Sequence, residues 1–183
     1  MTELPLPPIQ DDAWPQSAEE MKGGFATQLN VYRTMAHNPA LLTAWAPLRQ
    51  HVVIDNALGQ ELSEVAILRT GHRLGSPYEW GQHVHRARAC GMSDSRINKV
   101  RGPLEGMRKD DATVARAVDE LFYEKRLSPH TQQALVDLVG KEGMFDVIAT
   151  VGFYSTLGYI LNSCETPLDD DIAAALEEKP FDP

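Results

Sequence analysis

Two ionisable side chains between Ser76 and Gly91 have the types and the spacing needed to move a proton. Glu79 and His83 are four positions apart, so on an α-helix they lie on one face, one turn apart. His85 is only two positions from His83 and therefore points to another side of the helix. A carboxylate next to an imidazole supplies an acid and a base that are usable near neutral pH. The spacing therefore predicts a proton-transfer device on one helix.

Structural roles for the same residues are open alternatives. Ser76, Pro77 and Glu79 fit a capping box with proline at the first helical position, in which the Glu79 carboxylate bonds the backbone of Ser76. His83 taken alone is also compatible with a buried histidine that has no chemical role. Trp80 begins an apolar stripe that is typical of a core or of a pocket wall.

The sequence gives little support for a metal site or for disulfide chemistry. A site with one carboxylate and two histidines would need a second histidine at a position that the sequence does not visibly supply, and only the fold could bring His72 near. Cys90 and Cys164 are 74 positions apart, so the chain has neither a CxxC redox pair nor a four-cysteine zinc site. We expect no metal site and no disulfide framework.

The elements that carry these residues show the period of helices, because apolar residues recur at three and four positions rather than at two. Serine, asparagine and proline starts and glycine stops predict helices over about 25–36, 39–53, 61–74, 77–90, 93–100, 111–125, 129–138 and 144–161. The last of these is apolar almost all round, as a central buried helix would be. The sequence predicts an all-α, single-domain helical bundle.

Size and charge limit the classes of function. The chain has 183 residues, which is typical of one domain, with 1–23 as an N-terminal extension and 165–183 as a polar, acidic tail. Seventeen Lys and Arg against 26 Asp and Glu leave a net charge of −9, which disfavours binding to nucleic acid or anionic lipid. No membrane span or signal peptide is indicated. We expect a cytoplasmic protein whose partner is a small molecule.

A longer pattern resembles a known family. Glu64, the run Tyr78-Glu79-Trp80, His83 and Gly91 are similar to the carboxymuconolactone decarboxylase family, which also contains the alkylhydroperoxidase D type proteins. The resemblance extends over about 25–162 and includes 146–154 in the last helix. It implies an alkylhydroperoxidase D-like fold and, because family members form dimers, trimers or hexamers, a homo-oligomer.

The redox chemistry of that family does not transfer to this chain. The redox branch carries Cys-x-x-Cys followed four positions later by histidine, which aligns the two thiols with Ser76 and Glu79 when the histidine is His83. A disulfide-cycling hydroperoxidase needs both thiols. Cys90 lies two helical turns beyond His83 and is expected to be a small buried hydrophobic residue.

What the resemblance does imply is a pair of facing side chains, Glu64 and His83, on two packed helices. Glu64, Glu79 and His83 are the expected catalytic residues, with His83 as the acid. Further expected substrate-binding residues are Ser76, Tyr78, Trp80 and Tyr154, with Trp80 at the pocket rim. No metal or organic cofactor is implied.

The function that fits best is a cofactor-independent lyase, decarboxylase-like, that acts on a small lactone or carbonyl acid. Two carboxylates would repel such an anion unless one is neutral or an arginine, for instance Arg69 or Arg73, offsets the charge. Two alternatives remain: a hydroperoxidase-like antioxidant protein that works without the cysteine pair, and a non-catalytic small-molecule binding protein.

Overall fold

The computed structural model describes residues 6–181, and over these residues the chain forms helices and turns without any strand. The α-helices are α1 (Asn30–Met35), α2 (Pro39–Arg49), α3 (Gln60–Leu74), α4 (Pro77–Ala89), α5 (Asp94–Lys99), α6 (Lys109–Tyr123), α7 (Pro129–Cys164) and α8 (Asp170–Glu178). Short 3-10 turns lie at Asp11–Ala13, Gln16–Met21, Phe25–Thr27 and Leu104–Gly106, and a π-helical turn spans Gln50–Asp55. The all-α prediction is confirmed.

The starts and stops of the central helices follow local signals. Asn38, Ser76, Ser93 and Ser128 each accept a hydrogen bond from the backbone N–H three residues further on, which satisfies a donor that the helix leaves free. Gly75, at φ 59° and ψ 41°, ends α3 in the left-handed conformation that glycine adopts most easily. These boundaries lie where the sequence predicts them.

Three boundaries differ from the prediction. The expected helix over 25–36 is interrupted because Leu29 is extended, at φ −126° and ψ 137°, and α1 begins only at Asn30. The expected helix over 39–53 changes into the π-helical turn after Arg49, close to Pro47, which has no N–H to donate. The two segments predicted over 129–138 and 144–161 form one α7 with a break at Gly140, at φ 78° and ψ 175°.

Helix α3 lies at the centre, packed against α4, α6 and α7. One buried apolar cluster, which includes Leu68, Val84 and Val118, fills the space among these four helices. A second, which includes Tyr32, Phe153 and Leu157, joins α7 to α1 and α2. Helix α4 contributes to both clusters, so its buried face lies where they meet.

The two terminal segments pack against the bundle. In the N-terminal extension, Trp14 is buried and its indole N–H donates to the carbonyl of Ala18 at 2.9 Å. In the acidic tail, α8 packs against α4, where Gly81 leaves room for the side chain of Leu168. The tail therefore helps to hold the helix that carries His83.

Helix α7 meets the length and composition criteria for a membrane span, although half of its most apolar window is buried in the protein. The core helix of a soluble protein meets the same criteria. The expectation that the chain has no membrane partner therefore stays a prediction.

Candidate functional site

The site lies on the buried face of α4, which packs against α3. At Gly71 on α3, an added Cβ would lie 3.1 Å from the Cβ of Glu79 on α4, closer than ordinary van der Waals contact. The absence of a side chain at this position lets α4 present its buried face directly to α3. Glu79, Gln82, His83 and Arg86 lie on that face at positions i, i+3, i+4 and i+7.

Glu64 and His83 are joined across the two helices. A Glu64 carboxylate oxygen lies 2.7 Å from Nδ1 of His83; the His83 side chain is buried and that of Glu64 is partly buried. An ionised Glu64 accepts the Nδ1 proton, so the tautomer assigned from this bond leaves Nε2 free to accept a proton. Glu64 and His83 thus face each other across two packed helices, as the family resemblance implies.

Glu79 lies on the other side of the same imidazole, with Oε2 3.5 Å from Nε2 of His83. Burial raises the pKa of Glu79 to about 8, and the Glu64 charge acts in the same direction while the positive charge of Arg86 opposes it. Glu79 therefore keeps its proton at neutral pH. A buried carboxylic acid beside a histidine nitrogen is a proton donor held in place.

The capping-box alternative for Glu79 is only half realised. Ser76 caps α4 by accepting from the backbone N–H of Glu79 at 3.5 Å. The return bond is absent, because the N–H of Ser76 donates to the carbonyl of Gly71 at 3.0 Å. The Glu79 side chain instead faces an internal cavity.

That cavity has a volume of about 20 Å³, enough for one water molecule. Its wall consists of Leu29, Val31, Tyr32, Arg49, Val53, Tyr78, Glu79, Gln82, His83, Arg86, Tyr154 and Leu157. Acidic, basic and phenolic groups therefore converge on one small polar space.

Two tyrosines expected to bind substrate lie in this wall. The ring of Tyr154 packs edge-on against the ring of His83, with centroids 5.0 Å apart, and burial raises the pKa of Tyr154. Tyr78 donates to a carboxylate oxygen of Asp169 at 2.5 Å, and burial and this carboxylate raise the pKa of Tyr78. Both hydroxyls remain protonated at neutral pH.

Two other expected contacts are placed elsewhere. Trp80 points away from the cavity and packs against His72 and Phe181, with the guanidinium of Arg101 4.9 Å from its ring centroid. Ser76 is buried as the cap of α4 and does not line the cavity. Trp80 fails as a rim residue because it follows Glu79 by one position, which turns it about 100° around the helix.

Of the two ways in which the acidic charge could be offset, the one that uses Arg69 or Arg73 is excluded by their position. Both arginines bind Asp119, at 2.6 and 2.7 Å, and Arg69 also donates to the carbonyls of Val100 and Gly102. They face α6, away from the cavity. Arg49 and Arg86 supply the positive charge instead.

Sequence reasoning missed four polar residues of the wall: Tyr32, Arg49, Gln82 and Arg86. Gln82 and Arg86 carried a usable signal, because they share the helix face of Glu79 and His83 at intervals of three and four. Tyr32 and Arg49 carried none, since their position depends on how α1 and α2 pack.

Neither cysteine forms part of the cavity wall, and both are free thiols. Cys90 is partly exposed rather than buried as expected. It lines a surface groove next to Glu64, and burial together with the Glu64 charge raises the pKa of its thiol.

Over residues 6–181, no group of three His, Cys, Asp or Glu side chains is arranged to hold a metal ion.

Comparison with known proteins locates this site within a family. Residues 39–121 match the sequence model of the carboxymuconolactone decarboxylase family. No curated protein sequence matches the chain significantly.

Two solved structures share the fold over nearly the whole chain. A complex of the debrominase Bmp8, in a cysteine-to-alanine variant, with 2,3,4-tribromopyrrole has a TM-score of 0.70 at 16% identity and covers 97% of this chain and 98% of its own. Apo Bmp8 has a TM-score of 0.69 at 16% identity and covers 97% and 99%. The match to the family model confirms the resemblance to the carboxymuconolactone decarboxylase family over the segment 39–121, which carries Glu64, Glu79 and His83, and the two structures confirm the fold.

Proposed function

We propose that this protein is a cofactor-independent lyase that transfers a proton during decarboxylation of a small lactone or carbonyl acid. The observation that carries the proposal is the buried chain Glu64–His83–Glu79, with separations of 2.7 and 3.5 Å. A neutral carboxylic acid, an imidazole with a free nitrogen and an orienting carboxylate are the groups that protonation of carbon requires.

In the proposed reaction, the bond between the substrate and its carboxylate carbon breaks and carbon dioxide leaves. The electron pair enters the conjugated carbonyl and forms an enolate, which the water-poor cavity favours over a solvated carboxylate. Nε2 of His83 takes the Glu79 proton and delivers it to the substrate carbon. Glu64 holds the ring through Nδ1 and is a positioning residue, and solvent returns a proton to Glu79.

The test is release of carbon dioxide from a panel of unsaturated lactone acids, with deuterium incorporation into the product in D2O. His83→Ala is expected to lower turnover ~10²-fold or more through loss of the proton donor. Cys90→Ala/Cys164→Ala is the matched control and is expected to keep most of the turnover, because neither thiol lies in the cavity wall.

Both variants are compared at one pH without reductant, with circular dichroism as the check of folding. A folded double cysteine variant that is inactive, together with an active His83→Ala variant, would overturn the lyase proposal in favour of thiol chemistry.

A non-catalytic binding protein is the second candidate, and the small volume of the cavity favours it. In that case His83→Ala has wild-type stability, and no lactone acid is turned over. The hydroperoxidase-like alternative has no comparable support, because Ser76 and Glu79 stand where the redox branch has its thiols. Peroxide consumption measured with and without a thiol reductant separates it from the lyase.

A further inference from the structure

We propose that the tail segment 166–181 is a strap that controls entry to the cavity, and that the Asp169 carboxylate is the contact that keeps it closed. With the strap in place, the cavity has about 20 Å³, enough for one water molecule. When the strap leaves α4, a larger molecule reaches His83. This inference rests on the proposed function, because it takes the cavity as the place where a ligand meets His83, and it adds how the cavity opens.

The cavity wall has a seam between the start of α1 and the start of α4. Leu29 and Val31 line the cavity from the α1 side, and Tyr78 and Gln82 line it from the α4 side. The backbone N–H of Val31 donates across this seam to the Tyr78 hydroxyl, over 3.3 Å. A hydrogen bond of this length is weak, so the seam depends on a further connection.

Asp169 supplies that connection from the strap. One of its carboxylate oxygens accepts the backbone N–H of Asn30 at 2.7 Å. The other accepts the Tyr78 hydroxyl at 2.5 Å and a side-chain N–H of Gln82. Asp169 is buried, and hydrogen bonds to an ionised carboxylate are among the stronger ones in proteins. A single side chain thus fastens both sides of the seam.

The rest of the strap is held to α4 more loosely. Leu168 lies 3.0 Å from where a Cβ of Gly81 would be, and of the nine residues of α8 Ile172 alone is buried. At the end of α4, Arg88 donates to the carbonyls of residues 179 and 180, and its guanidinium lies 5.7 Å from the ring centroid of Phe181. These last hydrogen bonds are exposed to solvent, as in the least stable parts of a fold. The strap is therefore expected to open from its C-terminal end toward Asp169.

Release of the strap changes the cavity wall directly. The Tyr78 hydroxyl and the Gln82 amide lose the carboxylate that both contact, and a buried polar group without a partner is unfavourable. Both side chains then turn toward water, and two parts of the wall are displaced. The space that opens lies beside Glu79 and His83, which line the same cavity.

A surface groove of about 410 Å³ is the competing route. Val53 and Arg86 line both this groove and the cavity, so entry there requires these two side chains to move apart. Val53 lies in the π-helical turn, which packs against α2 and α7. We assign entry to the strap side because its closure depends on a segment at the end of the chain, which leaves without disturbing the packing between α2 and α7.

The test is the rate at which diethyl pyrocarbonate, a reagent much larger than water, modifies His83 in the full chain at pH 7. Modified peptides are quantified by mass spectrometry, with the exposed His130 as the internal reference. In wild type, His83 is expected to react ~10²-fold more slowly than His130, because the strap must open first. Asp169→Ala is expected to raise the His83 rate ~10-fold or more, and Phe181→Ala to raise it by a smaller factor.

Two further variants are controls. Leu135→Ala removes a buried side chain from the first half of α7, which does not line the cavity. It is expected to lower stability and to leave the His83 rate unchanged under native conditions. Val53→Ala widens the groove route and is expected to leave the His83 rate near that of wild type. Circular dichroism verifies that each variant is folded.

The proposal is overturned if folded Asp169→Ala and Phe181→Ala both react like wild type, or if wild-type His83 reacts as fast as His130. It is also overturned if Leu135→Ala accelerates the reaction as much as Asp169→Ala, or if Val53→Ala accelerates it and Asp169→Ala does not. The reaction with the reagent needs no turnover, which separates this test from that of the proposed function. If the His83 rate depends on the strap while no lactone acid is turned over, the strap stands and the lyase reaction does not.

Discussion

The protonation state of Glu79 decides what the cavity does. A carboxyl with a pKa of about 8 is neutral where most carboxyls are ionised, so in the reaction proposed above it can donate a proton and would not repel an anionic substrate. Both properties come from burial between α3 and α4, with the Glu64 charge adding to the effect. The same shift must appear in the stability of the protein, because a proton that is held more tightly in the folded state stabilises that state.

Glu79→Gln is expected to remove this part of the pH dependence. In wild type, the folded pKa of about 8 lies above the ordinary value of 4.5, so the stabilising contribution is complete below pH 4.5. It is lost progressively from pH 4.5 up to the folded pKa of about 8, on the order of 1 kcal/mol per pH unit, and stays constant above that. Glutamine cannot ionise and shows no such loss. The free energy of unfolding of both proteins is measured in urea from pH 5 to pH 9.

The other titrating groups are common to both proteins, so the difference between the two curves isolates Glu79. That difference should move in favour of Glu79→Gln with rising pH. Parallel curves would show that Glu79 is ionised in the folded protein at neutral pH, and the proton-donor role would be lost.

At the scale of elements, the site depends on how close two helices come. Gly71 permits the approach of α3 to α4, and the tail supports α4 from its other side. The Asp169 carboxylate accepts from Tyr78, Gln82 and the backbone N–H of Asn30. One buried carboxylate thus connects the tail to α4 and to the start of α1.

Gly71→Ala is expected to destabilise the protein by about 1–3 kcal/mol. The new methyl group lies 3.1 Å from the Cβ of Glu79, and the neighbouring backbone of α4 limits how far it can move away. Gly152→Ala in α7 is the matched control, because nothing lies within 4 Å of its new methyl group. Alanine there should stabilise the helix by roughly 0.5–1 kcal/mol.

Thermal and urea unfolding of the two variants provide the measurement. Equal effects of the two substitutions would mean that the approach of α3 to α4 does not depend on Gly71.

At the scale of the whole molecule, Arg69 connects α3, at the centre of the bundle, to α6 and to the segment that precedes α6. Its buried guanidinium binds Asp119 of α6 and the carbonyls of Val100 and Gly102, which lie in the connection before α6. Burial alone would raise the pKa of Asp119, but hydrogen bonds from Arg69 and Arg73 outweigh it and hold that pKa below its usual value.

Arg69→Met is expected to lower the free energy of unfolding by about 3–5 kcal/mol, because it leaves the carbonyls of Val100 and Gly102 without their donor and Asp119 with Arg73 alone. Arg116→Met, on the exposed face of α6, should change it by about 0.5 kcal/mol or less. Urea unfolding of both variants at pH 7 is the measurement. A loss for Arg69→Met no larger than that of the control would mean that solvent replaces the arginine.

The surface of α7 supports the expectation of a homo-oligomer. Phe145 and Tyr159 are 65% and 61% exposed, and Ile148 is 37% exposed, although large apolar side chains are usually buried. Sedimentation at micromolar concentration is expected to show a species heavier than 20.3 kDa. A single species at 20.3 kDa would contradict the prediction, and Phe145→Glu is expected to shift the distribution toward that mass.

The sequence by itself determined the helical class, most helix starts, and the pair Glu79 and His83. These depend on neighbours within four positions: a serine that caps the next turn, a glycine that accepts a left-handed conformation, and side chains one turn apart. The link from Glu64 to His83 came from the family resemblance. The amino-acid sequence determines this contact too. It joins two different helices, however, so no spacing within one helix indicates it.

Only the tertiary structure decided which other groups meet the cavity. Arg49 and Tyr32 reach it because α1 packs against both α2 and α7, while Arg69 and Arg73 turn to Asp119 on α6. Trp80 packs against the tail, and Asp169 caps α1 from 139 positions away. These outcomes depend on burial and on long-range packing, because a charged side chain takes whichever partner the fold brings within reach. Glu79 is neutral for the same reason, since desolvation belongs to the folded molecule and to no segment of its sequence.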